Sequence, residues 1–278
     1  MEIYDVDVKN FQKVIREHSV YDLNEYSVNS LKRRLIKIVQ DYDNDIGQLI
    51  EGISSDENLL EDVIKKITVN TTELFRDPPI WKNLIEDIIP KLKFFNSLNI
   101  WHAGCSTGQE VYSMMMLLDH YDLLDRANIY ASDINSDVLD IARQGEYRLQ
   151  FNRAYIDNFN TVFPENVETE KRSSNQYEKY FTIDETRDKI IMNDFLKKKP
   201  TYEKIDLVKD DNLFYVNFDL ILCRNVIIYF NNALQTKVLE LFHRNLRDKG
   251  FLILGMHESI MANNYHLFTK YDAFYRKH

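Results

Sequence analysis

The chain has 278 residues and a net charge of −9, with 44% hydrophobic and 28% charged residues. The charge argues against a general nucleic-acid binder, which needs a basic surface. The apolar runs 114–118 and 226–230 are far too short to cross a bilayer, and the acidic start MEIYDVDVKN lacks the basic and apolar regions of a signal peptide. The expectation is a soluble, reduced, cytoplasmic protein, and its two cysteines, Cys105 and Cys223, have no metal-ligand spacing.

Residues 1–66 read as three or four short helices with polar breaks near YDNDIG and GISSDEN. Acidity concentrates early: residues 1–90 carry a net −7 and residues 91–278 a net −2. Within the acidic part, Lys32, Arg33, Arg34 and Lys37 form a basic cluster on a segment whose Leu31, Leu35, Ile38, Val39 and Tyr42 recur at helical spacing. It reads either as a solvated helix face or as a docking face for an acidic partner. Pro78-Pro79 marks a boundary, and residues 80–92 read as helix again.

After Asn99 the pattern alternates. NIWHAGCSTGQEVYSMMMLLDHY, NIYASDINSDVLDIARQGEY and FDLILCRNVIIYFNNALQTKVLELFHRNL each read strand, turn, helix, and GFLILGMHESI adds a further strand. That alternation is the pattern of βαβ units around a parallel sheet. Residues 148–205 are less regular and read as an insertion in the α/β order.

The first strand ends at Gly104 and a helix begins near Gly108 or Glu110, a junction where glycines let backbone N–H groups approach a ligand. The spacing fits neither the dinucleotide fingerprint nor the phosphate-binding P-loop. Asp133, at the end of the second strand, is placed to accept both ribose hydroxyls; alternatively it caps the helix beginning near Ser136. Gly104 and Asp133 together point to a nucleoside without a pyrophosphate loop, hence to S-adenosylmethionine. Arg224-Asn225 interrupt the apolar run 219–230, and an unpaired guanidinium in a dry interior costs several kcal/mol. Either the run stops being interior at Cys223, or the two side chains meet something polar that is not in the sequence.

NTTELFRD (70–77), AGCSTGQEVYS (103–113), SDINSDVLDIARQGEY (132–147), DNL (211–213), FDLILCRNVIIYF (218–230) and LILGMHES (252–259), in this order, resemble the chemotaxis receptor methyltransferases, the CheR family. The resemblance implies a helical N-terminal domain, set at 1–76, and a Rossmann-like methyltransferase domain over 77–278. It also implies a small antiparallel β subdomain inserted at about 148–190. The implied activity is methyl transfer from S-adenosylmethionine to glutamate side chains of a chemoreceptor's cytoplasmic helices, leaving S-adenosylhomocysteine and serving sensory adaptation.

Carried over residue by residue, the resemblance places cofactor contacts at Asn70, Thr72, Arg76, Ala103, Gly104, Glu110, Asp133, Asn212, Leu213, Arg224 and Asn225. Arg76 suits a carboxylate, either the cofactor's or the substrate's. Glu110 suits the methionyl ammonium or a nearby cation, Asn212 the adenine edge and Leu213 its face. Tyr229 matches a tyrosine near the transferred methyl, and with Arg76 it is read as catalytic, orienting the substrate carboxylate; otherwise it is a partly buried helix aromatic. A glutamate side chain is already ionised near neutrality, so no general base is required. Lys32, Arg33, Arg34 and Lys37 gain weight as a receptor-docking face, and the inserted subdomain becomes a candidate site for a receptor's C-terminal peptide. Two other readings share these motifs: a same-fold methyltransferase for another protein carboxylate or small molecule, and a non-catalytic cofactor-binding regulator.

Overall fold

The computed structural model of the chain describes all residues except 1–2, 20–22, 25, 44, 68–71, 164–175 and 272–273. They fall into two compact units, residues 1–69 with 226–239, and residues 70–225 with 240–278.

The first unit is built on four amphipathic helices, α1 (Asp5–His18), α2 (Val28–Asp41), α3 (Ile46–Ser55) and α4 (Glu57–Ile67). Their apolar residues recur every three or four positions, so one stripe of each is buried: Val8, Phe11 and Ile15 on α1, and Leu31, Leu35, Ile38 and Val39 on α2. Asp45 starts α3 with a capping box: its side chain accepts the Gln48 N–H (2.8 Å), and Gln48 Oε1 accepts the Asp45 N–H (3.0 Å). Residues 226–239 join this unit through the 3-10 turn Ile227–Tyr229, the Ser27 N–H to Tyr229 carbonyl bond (2.9 Å) and a Tyr26–Phe230 bridge.

The second unit opens with α5 (Pro78–Asn83), a π turn (Leu84–Ile88) and α6 (Ile89–Leu92). The π turn has a cause in the sequence. Pro90 has no N–H for the Glu86 carbonyl and its ring would clash there, so the helix widens and the Ile89 N–H reaches back five residues to the Leu84 carbonyl. The expected alternation follows: β1 (Leu98–Ala103), α7 (Gln109–His120), β2 (Ala127–Asp133), α8 (Ser136–Gln144), β3 (Glu146–Arg148), α9 (Ala154–Val162), β4 (Phe181–Asp184), β5 (Lys189–Met192), α10 (Asp194–Lys197), β6 (Thr201–Lys204), β7 (Phe218–Cys223), α11 (Asn232–Asn245), β8 (Leu246–Leu254), β9 (Phe268–Tyr271) and β10 (Phe274–Lys277).

Seven strands form one sheet in the order β6-β2-β1-β7-β8-β10-β9. The first five run parallel and β10 pairs antiparallel with β8 and β9. β1 and β7 are buried along their whole length, which explains their near-continuous apolar sequences. One face of the sheet carries Trp101 with Phe218 and Phe242. The other carries Ile100, Leu220 and Leu222 within a core that includes Trp81 and Met114–Leu118 of α7. β3, β5 and β4 form a separate antiparallel sheet with β5 in the middle. This is the small antiparallel element expected at about 148–190, and β6 within the irregular stretch turns out to be the edge of the large sheet.

Candidate functional site

The parallel strands β2, β1 and β7 end side by side, and open α/β sheets bind ligands at this carboxyl edge. Loop 104–108 after β1 hooks onto β2: the N–H groups of Gly104 and Cys105 both donate to the Ser132 carbonyl (2.8 and 2.9 Å). Gly104, Ser106 and Gly108 all hold positive φ. A Cβ at Gly108 would stand 2.7 Å from Ala142 Cβ, so glycine is also what lets α8 approach the start of α7.

Asp133 is buried at the end of β2. Its Oδ2 accepts the Ser106 N–H (2.9 Å) and its Oδ1 the Asn135 N–H (3.0 Å). Burial raises its carboxyl above the ordinary value, and the backbone bonds oppose that only in part. Helix α8 is capped by Asn135, whose side chain accepts the Asp137 N–H; Asp133 instead staples the two loops together.

Arg224, just past β7, meets acceptors in the chain itself. Its Nη1 lies 3.1 Å from Glu110 Oε2, and its Nη2 donates to Asp77 Oδ2 (2.7 Å) and to the Arg76 carbonyl (2.9 Å). The guanidinium side chain is only 2% exposed, so these partners are what make its burial tolerable. Glu110 also contacts His102 Nδ1 at 3.0 Å. Burial pushes the Glu110 carboxyl upward, but the His102 hydrogen bond and the Arg224 charge outweigh it and hold the carboxyl below its ordinary value.

Arg76 sits between two residues in the left-handed region, Phe75 (φ 50°) and Asp77 (φ 56°). Such backbone persists only where surrounding contacts over-determine it. Here the Phe75 N–H donates to Ser113 Oγ (2.8 Å), Asn158 Nδ2 donates to the Leu74 carbonyl (2.9 Å), and Trp81 Nε1 donates to the Arg76 carbonyl (3.0 Å). Thr72 is half-buried at the start of this loop, and Asn70 lies outside the described residues.

Asn212 is spent on its own turn. Its Nδ2 donates to the Val216 carbonyl (2.6 Å) and to Asn245 Oδ1 (2.9 Å), and its Oδ1 accepts the Phe214 N–H (3.0 Å). Only one lone pair on that amide is left for an adenine edge, while Leu213 is exposed beside it. Thus Glu110, Arg224 and the Arg76 carbonyl share one bonded cluster, Gly104 and Asp133 tie the loop after β1 to the end of β2 in another, and Asn212-Leu213 stand on a separate turn of the same unit. Tyr229 belongs to the helical unit, where the Arg34 guanidinium lies 4.0 Å from its ring centre.

Sequence reasoning gave no role to Glu258. Its Oε2 accepts the N–H groups of Gly255 (2.6 Å) and Asn225 (2.7 Å), joining the ends of β8 and β7. The signal was the LILGMHES segment, in which the acid follows the strand by four residues.

The residues present suit S-adenosylmethionine. Around Arg224 stand two carboxylates for one guanidinium, a local excess of negative charge that favours a cationic sulfonium and ammonium. Ser106 Oγ, in the loop stapled to Asp133, is buried with no hydrogen-bond partner. A ligand hydroxyl there would satisfy it.

The comparisons agree with this chemistry. The family model "CheR methyltransferase, SAM binding domain" matches residues 70–275. The protein Cher3 of Pseudomonas putida is 34% identical over 262 residues, spanning 94% of this chain and 91% of its own. A chemotaxis protein methyltransferase of Listeria monocytogenes is 28% identical over 98% of this chain and 97% of its own, and one of Borreliella burgdorferi is 33% identical over 73% and 69%. This chain therefore belongs to the CheR family of S-adenosylmethionine-dependent methyltransferases.

Proposed function

We propose that the protein transfers a methyl group to glutamate side chains on the cytoplasmic helices of chemoreceptors. The observation that carries the reading is the Arg224–Glu110–Asp77 cluster at the carboxyl edge of the sheet, in a chain similar over almost its whole length to a chemotaxis protein methyltransferase. On this reading residues 1–76 form the N-terminal domain and residues 77–278 the catalytic one, working in the cytoplasm. No described helix is long and apolar enough to cross a membrane.

Bound S-adenosylmethionine supplies an electrophilic methyl group on a good leaving group. Glu110 and Asp77, with Arg224 between them, would hold its methionyl end, and Asp133 and Ser106 would hold the ribose. Loops 72–77 and 211–213 would flank it, with Thr72 and Leu213 as contacts, and Asn70 is kept as a contact on the sequence motif alone. A glutamate side chain is already ionised near neutrality, so no residue of the chain would have to take a proton from it. What the protein must provide is alignment and a dry, pre-oriented site. Arg76 and Tyr229 supply the alignment, and Arg33 and Lys37 the docking charge.

The test is transfer of labelled methyl from S-adenosylmethionine to purified receptor cytoplasmic fragments, followed by mild base. Label released as methanol is expected. Label that resists base, or no incorporation despite cofactor binding, would overturn the glutamyl-ester reading.

A further inference from the structure

We propose that Glu258 is a positioning residue of the cofactor site, setting the Arg224-Asn225 pair from the neighbouring strand. The inference rests on reading this edge of the sheet as that site. Cys223 and Leu254, the last residues of β7 and β8, are register partners, so the two chains leave the sheet together. Beyond them a single carboxylate oxygen, Glu258 Oε2, takes the Asn225 and Gly255 N–H groups at 2.7 and 2.6 Å.

The bond falls at a left-handed turn of the backbone. Asn225 has φ 60°, in the left-handed region, which asparagine adopts more readily than other residues with a Cβ. Arg224, one residue earlier, must reach Glu110 and Asp77 at the same time. Rotating the Asn225 peptide would swing the Arg224 carbonyl and disturb that fork. Gly255 shows how closely the brace is fitted. A Cβ there would stand 2.7 Å from Glu258 Oε2 and 3.0 Å from Asn225 N. Position 255 therefore admits the carboxylate only because it has no side chain.

Reach and acceptor chemistry are separable. Glu258→Gln keeps the length and an acceptor oxygen, whereas Glu258→Asp keeps the charge but is one methylene too short to span both N–H groups. Calorimetry with S-adenosylhomocysteine, steady-state kinetics with S-adenosylmethionine and a receptor fragment, and thermal melts would be run on the full chain. Glu258→Asp and Glu258→Ala should each weaken S-adenosylhomocysteine binding and raise the cofactor KM by about tenfold or more, while Glu258→Gln stays within about threefold of the parent. Gly255→Ala, which crowds the carboxylate from the other side, should reproduce the aspartate defect. A purely structural role would lower the melting temperature of Glu258→Asp yet leave binding and KM unchanged well below it. That outcome, or a glutamine variant as defective as aspartate, would overturn the proposal. If the parent chain itself fails to bind S-adenosylhomocysteine, the site reading fails instead.

Discussion

Arg224 and Glu110 face each other at 3.1 Å, on the end of β7 and the first turn of α7, 114 positions apart in the chain. Neither could be buried alone. The guanidinium has 2% exposure on its side chain and the carboxylate 14%. Their pairing therefore ties two loops of the site to one electrostatic condition.

Removing one partner leaves the other buried and uncompensated, a loss of about 3–5 kcal/mol. Arg224→Met should lower stability by that order and abolish measurable S-adenosylhomocysteine binding. Arg224→Lys should also fail to bind, because an ammonium cannot fork between Glu110, Asp77 and the Arg76 carbonyl. Urea unfolding and calorimetry check both. A lysine variant with parental affinity would show that the fork is dispensable.

Acid should separate Glu110 from Asp133. Glu110 has its folded pKa below the ordinary 4.5, so its stabilisation is present above that value and lost as pH falls through the depressed one. Asp133 is raised above 3.8 by burial, so its penalty appears as pH rises past 3.8 and is relieved on acidification. The two slopes oppose each other. Urea midpoints followed from roughly pH 7 to 3.5 should fall less steeply in Glu110→Gln and more steeply in Asp133→Asn than in the parent. Parallel profiles in all three proteins would contradict the assignment.

Much of this was legible in the residues, for identifiable reasons. The strands β1 and β7 are buried on both faces and read as unbroken apolar runs, and Gly104, Gly108 and Asp133 stand where a ligand-binding edge needs them. The edge strand β6 is hidden by its own polarity, since three of its four residues are exposed and it lies at the edge of the sheet beside β2. The β9–β10 hairpin consists of two four-residue strands, too short for a clear alternation. Glu258 was invisible because its partners are main-chain N–H groups, which no side-chain pattern records. The basic cluster read as a single face, yet the fold divides it: Lys32 pairs with Asp5 at 2.5 Å and Arg34 turns inward to the Ile67 carbonyl and the Tyr229 ring.

Tyr229 can be tested with its ring kept in place. Tyr229→Phe keeps the ring on which Arg34 stacks and removes the hydroxyl together with its hydrogen bond to Arg34. Turnover should fall about tenfold or more, the loss of one transition-state hydrogen bond, with S-adenosylhomocysteine affinity unchanged. Arg34→Ala removes the stacking cation instead and should destabilise the helical unit by about 0.5–2 kcal/mol. Parental turnover in the phenylalanine variant would remove Tyr229 from the proposed chemistry.

Docking should depend on the part of the basic cluster that remains in water. Lys32 is held by Asp5, and burial lowers the pKa of Arg34, its charge being supported by Tyr229 and Tyr26. Arg33 and Lys37, four positions apart on α2, are exposed on one face. An acidic receptor helix would meet these two first. The variant Arg33→Glu with Lys37→Glu reverses two charges without touching a buried residue. Its kcat/KM on a receptor fragment should fall about tenfold at low salt and converge on the parent as salt screens the encounter. Binding of S-adenosylhomocysteine should not change, because neither residue belongs to the cofactor network. A double variant with parental kcat/KM at low salt would show that receptors approach another face.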